Sequence, residues 1–328
     1  LAEGAIEGIL KSTGDEFSYY YSLSKTRQIK EMTQGKYVGV GIETQGIEKD
    51  GSGVLITQVE SDSPASKAGL RVGDSIKAVG NVATDRLSNL EIGRLLEGSA
   101  GSTLRVVIER GSQRLSFEMV REERQYSPIE TKVLAGGLGY LRISDFFSLT
   151  TASKFRSALQ TLRDKGVKAI ILDLRDNAGG RVDQAIEVAD SLLTKGSIFV
   201  TRDKTGNAKV QASAKPEPDD YTGRLLILAN HLTISAGEIL VAALKKNGRA
   251  RVLGEKTAGK GVANLEIPLA NGGSLILAVA DWLTPNGNAI LHRGIVPNIP
   301  VQDSRLTTRF QKDAELGEAV RVITLQTE

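Results

Sequence analysis

Apolar and polar positions change rhythm twice along the chain. LAEGAIEGILKSTG, residues 1–14, has helical spacing and stops at a glycine. An aromatic run, FSYYYS (17–22), and a charged helix-like stretch complete a helical N-terminal segment, 1–36. From Tyr37 the pattern shortens into strands broken by glycine. YVGVGIETQG has strand character, GVLITQVE (53–60) reads as a strand, SPASKAGL (63–70) as a short helix entered through proline, and RVGDSIKAVGN as a strand after a Gly-Asp turn. NLEIGRLLEG (89–98) returns to helical spacing, and TLRVVIER with QRLSFEMVRE predicts a hairpin around Arg110–Gly111. Residues 37–124 are therefore expected to form a compact β-rich module.

REERQYSPIET (121–131) is charged and carries a proline, which suits a boundary. Beyond it, strands alternate with amphipathic helices: GLGYLRISDF, TASKFRSALQTLRDKG, VKAIILDLRDNAGG, VDQAIEVADSLLTKG, RLLILANHLT and a helix from Ser235 to about Lys246. This order predicts an α/β core over 125–328, its sheet covered by helices and its strand-end loops placed for chemistry. The tail reads as a charged helix and then a short strand, VRVITLQ.

Composition removes several classes of function. The chain has no cysteine, so thiol catalysis, disulfides and cysteine–zinc sites are excluded. Two histidines, His231 and His292, are too few for a histidine-rich metal site, and no metal or other cofactor is expected. Net charge is +3, which gives no argument for nucleic acid. No stretch reaches the roughly 18 apolar residues of a membrane span. The chain starts at Leu1 in what reads as mid-helix, so a larger N-terminal element is expected; Leu1, Ile6 and Leu10 suit either a partner copy, giving a homo-oligomer, or packing on the core.

Three short stretches carry candidate chemistry. Ser235 in TISAGEI follows an apolar strand at a helix start, where unpaired N–H groups favour negative charge on oxygen. It is there either as an ordinary cap or as a nucleophile. Lys260 in TAGKG is either a solvated turn lysine or a base. A lysine serves as base only when neutral, which burial among apolar groups favours. LDLRDNAGG (172–180) ends a strand in a glycine turn, where Gly179 and Gly180 either present amides to an oxyanion or simply supply left-handed dihedrals. His231, four residues before Ser235, suggests a triad that the lysine makes unnecessary. No GxSxG, HExxH, phosphate-binding or dinucleotide glycine pattern is present.

Together LDLRDNAGG, TISAGEI and TAGKG resemble, in that order, the blocks of the C-terminal processing peptidases, tail-specific proteases with a Ser–Lys dyad. The resemblance covers nearly the whole chain, from GAIEGIL to GIVPNIPV (294–301). It implies a multidomain α+β protein: an α/β peptidase core with an inserted β-rich PDZ domain and a partial N-terminal helical segment. It puts the nucleophile on Ser235 and the base on Lys260, 25 residues apart, and an oxyanion hole on Ala236 with Gly179 or Gly180. Asn264 stands where the family often has the glutamine that orients the lysine, and Ile234 and Gly237 replace small residues of the nucleophile block. Residues 37–124 resemble the PDZ insertion. Gly39, Val40, Gly41 and Ile42 correspond to the loop and strand that receive a peptide's free carboxylate, with Leu90 and Leu95 as further pocket candidates whose alternative is module core. The implied substrates are proteins with free, apolar C-terminal tails. The implied location is extracytoplasmic, in a bacterial envelope, secreted, or in a thylakoid lumen. A regulatory or adaptor protein is a further implied partner. The rival reading is a silent, PDZ-bearing adaptor.

Overall fold

The computed structural model describes all residues except 1, 48–52, 86, 88–91, 93–94, 97, 204, 302–312 and 326–328. The chain divides into two compact units. One comprises residues 1–35, 127–303 and the C-terminal stretch; the other comprises 36–126. The units therefore divide at 35/36 and 126/127, where the expectation has 36/37 and 124/125. The N-terminal segment is not a separate helical piece, however. It contains the helix Ala2–Ser12, the strand Tyr19–Tyr21 and the helix Leu23–Thr33, and belongs to the same unit as the core. Leu10 is buried, whereas Ile9 is exposed.

The core unit is built on a six-stranded sheet. Its order is Ile129–Leu134, Leu138–Ile143, Ala169–Asp173, Arg224–Ala229, Arg251–Gly254 and Ile299–Pro300. The first pair is antiparallel and the others are parallel. AIILD is buried at every position because helices cover both faces, as its unbroken apolar run requires. Ile170 and Leu172 join the cluster under the helices Thr151–Asp164, Val182–Asp190 and Ala236–Lys246. Ala169 and Ile171 face the opposite cluster, with Ala319 and Ile323 of the helix Ala314–Leu325. That last helix corrects the expected strand VRVITLQ: its β-branched residues suggest extended chain, but the i, i+4 pair Ala319 and Ile323 buries one helical face.

A second sheet in this unit sets Ser274–Leu283 between Val262–Pro268 on one side and Tyr19–Tyr21 and Ser197–Arg202 on the other, with Ala208–Ser213 outermost. In the other unit, the five main strands Ile42–Ile47, Val54–Val59, Ser75–Val79, Thr103–Arg110 and Gln113–Val120 form an antiparallel sheet over Ile56, Ile76, Val106 and Ile108. The expected hairpin is present, with Arg110 opposite Gln113 and Gly111 at φ +62° in the turn. Ser63 caps the helix Pro64–Ala68, and Gly69 ends it at φ +93°. Most of the expected helix 89–98 lies outside the described residues.

Candidate active site

Three adjacent parallel strands deliver the three quoted stretches. Ala169–Asp173, Arg224–Ala229 and Arg251–Gly254 are neighbours, so the loops after their carboxyl ends emerge side by side. Side chains then stitch the loops together. Asn230 Nδ2 donates to Asp176 Oδ1 at 2.8 Å, and the Asp176 N–H donates back to Asn230 Oδ1 at 3.0 Å. Thr233 Oγ1 donates to the Leu174 carbonyl at 2.8 Å, and the Ile234 N–H reaches the Asn177 carbonyl at 3.0 Å.

Ser235 sits at the sharp turn into the helix Ala236–Lys246, with φ +56° and ψ −116°. A non-glycine residue held there carries about 1–3 kcal/mol of strain, so the surroundings must fix it. Glu238 does so. Its fully buried carboxylate accepts the Ser235 N–H at 3.0 Å and the Lys260 N–H at 2.9 Å on one oxygen. The other oxygen takes the Thr257 hydroxyl at 2.6 Å and the Gly259 N–H at 2.7 Å. Burial pushes the Glu238 carboxyl up from its ordinary value, and these four donors pull it back only in part. One carboxylate therefore ties the backbone of Ser235 to the backbone of Lys260. Sequence reasoning quoted this glutamate but gave it no task; its position at N3 of the helix is the signal that was available.

Lys260 is half-buried between two glycines that need their lack of a side chain. Gly259 has φ +87°, and a Cβ on Gly261 would lie 2.6 Å from the Leu291 nitrogen. Trp282 Nε1 donates to the Lys260 carbonyl at 3.0 Å. Ser235 and Lys260 line one cavity of about 460 Å³, shared with Tyr19, Phe147, Phe199 and Trp282. Among the described residues no hydrogen bond joins their side chains; Lys260 Nζ instead reaches the Tyr19 hydroxyl at 3.5 Å. Asn264 lines the same cavity, but its amide donates to the Phe17 carbonyl at 2.9 Å and not to Lys260.

The two candidate oxyanion glycines differ. Gly179 packs against the Ser235 turn, where a Cβ would lie 2.9 Å from Ser235 Cβ, and its N–H is taken by Asn177 Oδ1 at 3.0 Å. Gly180 lines the cavity at φ +125°, and its N–H has no hydrogen-bond partner among the described residues. Ala236 is buried immediately after Ser235. His231 pairs with Glu255 at the surface and does not line the cavity. Asp173 pairs with Arg175, which also binds Asp313 and Glu315 at 2.7 and 2.8 Å. Burial works against the Arg175 charge, yet Asp173 and Asp313 hold its pKa above the ordinary arginine value.

The tail-binding candidates lie in the other unit. Gly39 ends the strand Lys36–Gly39, and Gly41 adopts φ +79° where a Cβ would meet Ser63 Cβ at 2.3 Å. Val40 is buried in the core, and Ile42 and Leu95 are half-buried against it. Ile42 opens Ile42–Ile47, which among the described residues is an edge strand of the six-stranded sheet that also includes Val82–Ala83. Leu90 lies outside the described residues.

Comparison with known proteins follows this division. Residues 38–120 match the PDZ domain and 137–301 match Peptidase family S41. The chain is 31% identical over 304 residues to a probable CtpA-like serine protease of Staphylococcus haemolyticus (strain JCSC1435), covering 92% of this chain and 60% of the relative. It is 32% identical over 322 residues to carboxyl-terminal-processing peptidase 2, chloroplastic, of Arabidopsis thaliana, covering 95% and 61%. It thus spans about 60% of the length of these curated relatives. The solved photosystem II D1 C-terminal processing protease superposes with a TM-score of 0.59 at 28% identity, over 91% of this chain and 81% of that one. On the matched core, the PDZ module and these relatives, the chain belongs to peptidase family S41.

Proposed function

We propose that this chain is a serine endopeptidase that takes protein C-terminal tails on its PDZ domain and cleaves with a Ser235–Lys260 dyad. The observation that carries this is the single buried carboxylate of Glu238, which accepts from the backbone of both residues and fixes them at one cavity. Lys260 Nζ takes the Ser235 hydroxyl proton as Oγ bonds to the scissile carbonyl carbon. The carbonyl π electrons move to oxygen, where the N–H groups of Ala236 and Gly180 receive them. Gly180 is preferred to Gly179 because Asn177 already occupies the Gly179 N–H. Collapse of this intermediate breaks the C–N bond, and the leaving amine takes the proton from Lys260. Water then attacks the acyl carbon and gives its proton to Lys260. The C–Oγ bond breaks, Oγ takes that proton back, and release of the acid product restores Ser235 and neutral Lys260.

The tail adds as a strand beside Ile42–Ile47, its carboxylate on the amides of Gly39–Ile42, with Ile42 and Leu95 against its apolar side chain. The Arabidopsis relative is named chloroplastic, and the structural relative is named for processing the photosystem II D1 C-terminus; both support a compartment outside the cytoplasm. The test is cleavage of reduced, unfolded casein extended by an apolar C-terminal tail. The parent chain should cut it, and Ser235→Ala and Lys260→Ala should not. Binding of the tail with no cleavage by any of the three would leave the adaptor reading.

A further inference from the structure

The aromatic run FSYYYS has no task in the mechanism above, and it lies outside both matched regions, 38–120 and 137–301. The fold nevertheless brings it to the base. Tyr19–Tyr21 pairs antiparallel with Ser274, Leu275 and Ile276. The residues before it are held as well: the Asn264 amide donates to the Phe17 carbonyl at 2.9 Å, and the Ala278 N–H donates to Ser18 Oγ at 2.9 Å. Tyr19 therefore stands with its ring centroid 5.2 Å from Lys260 Nζ and its hydroxyl 3.5 Å away. The Tyr21 hydroxyl donates to the same Tyr19 oxygen at 3.4 Å. Among the described residues, Tyr19 is the one side chain hydrogen-bonded to Lys260 Nζ.

Building on the Ser235–Lys260 reading, we propose that Tyr19 is a positioning residue for the general base, and that Asn264 acts on the lysine through it. A neutral lysine amine has two N–H bonds and one lone pair. A phenol oxygen that accepts one N–H limits rotation of the flexible lysine stem and leaves the lone pair for the serine proton. When that proton arrives, positive charge develops on Nζ in front of the ring face, which attracts it. Both effects are larger in the transition state than in the substrate complex, so they act on kcat rather than KM. By the resemblance, Asn264 stands where the family often has a lysine-orienting glutamine. Here the amide is spent on the Phe17 carbonyl, two residues ahead of Tyr19, and the tyrosine takes the contact with the lysine.

The test uses the 328-residue chain and an internally quenched peptide ending in a free Val-Ala-Val tail. Tyr19→Phe keeps the ring and removes the hydroxyl; kcat should fall about 2- to 10-fold. Tyr19→Leu removes both, so the two losses multiply and kcat should fall about 4- to 300-fold, with KM within twofold of the parent. Asn264→Ala should lower kcat in the parent and add little in the Tyr19→Leu background, because the two act in series. Thermal melting checks the fold, and the phenylalanine variant decides the matter if the leucine variant does not fold. Parent-like kcat in either folded Tyr19 variant, a loss carried by KM, or full additivity with Asn264→Ala overturns the proposal. Cleavage surviving in Ser235→Ala would instead overturn the dyad on which it rests.

Discussion

Replacing Glu238 by glutamine tests the clamp at the centre of the site. The shapes match, but glutamine offers one acceptor oxygen and an NH₂ group in place of two acceptors. Its best orientation keeps oxygen toward the N–H groups of Ser235 and Lys260 and turns NH₂ toward Thr257 and Gly259. The Thr257 hydroxyl can rotate to accept, but the Gly259 N–H, now 2.7 Å from a carboxylate oxygen, faces another donor. A buried unsatisfied N–H costs about 1–3 kcal/mol. The remaining two bonds lose their charge assistance, while removal of a buried charge offsets part of that loss. We expect a net destabilisation of about 2 kcal/mol at neutral pH, or a melting point lower by about 4–8 °C for a unit of this size. The cleavage rate should fall at least about tenfold as the Ser235 turn loosens. The deficit also has a pH sign. Burial raises the Glu238 carboxyl above 4.5 in the folded state, so its contribution to stability is full below 4.5 and is lost as pH rises through the folded value. Glutamine lacks this dependence, and the deficit should shrink as pH rises from 4.5. Melting curves across that range, with kcat at neutral pH, are the assay. A parent-like melting point and rate would refute the clamp, whereas a deficit that grows with pH would contradict the raised Glu238 carboxyl and leave the four-donor clamp standing.

Three further perturbations follow from the geometry. Arg175→Met removes the cation shared by Asp173, Asp313 and Glu315, and urea unfolding should show a loss of about 3–5 kcal/mol; a loss under about 1 kcal/mol would contradict the cluster's role. Gly180→Ala forces a Cβ to 2.6 Å from the Phe146 carbonyl carbon at φ +125°, so the oxyanion donor should be displaced and kcat should drop about 100-fold with tail binding intact; parent-like turnover would assign the hole elsewhere. Gly41→Ala sets a Cβ 2.3 Å from Ser63 Cβ at φ +79°, and fluorescence anisotropy should show a tail peptide binding at least about tenfold more weakly; an unchanged Kd would remove this loop from the binding site.

Two central strands of the core sheet were legible because AIILD and LLILA are unbroken apolar runs. Ile129–Leu134, by contrast, carries Glu130 and Lys132 and overlaps the expected boundary 121–131, and Arg251–Gly254 and Ile299–Pro300 are too short to show a rhythm. The site loops were read from the order and spacing of LDLRDNAGG, TISAGEI and TAGKG. The second sheet lies largely outside the predicted elements. Ala208–Ser213 is exposed at nearly every position and alternates weakly, so no rhythm marks it. The tail helix was misread because Val320, Val322, Ile323 and Thr324 favour strands until a sheet face is present for Ala319 and Ile323 to cover. Glu238 and Tyr19 were missed for a different reason. Thr257, Gly259 and Lys260 lie 19 to 22 residues from Glu238, and Lys260 is 241 residues from Tyr19. Only the fold brings these partners together.

Intact-mass analysis after exposure to a fluorophosphonate tests the central claim most directly, because it reads nucleophile activation without a natural substrate. The account predicts one adduct on the parent chain, mapped to Ser235, formed at least about 100-fold more slowly in Lys260→Ala. An adduct on another residue, or Ser235 labelling at the parent rate without Lys260, would contradict it.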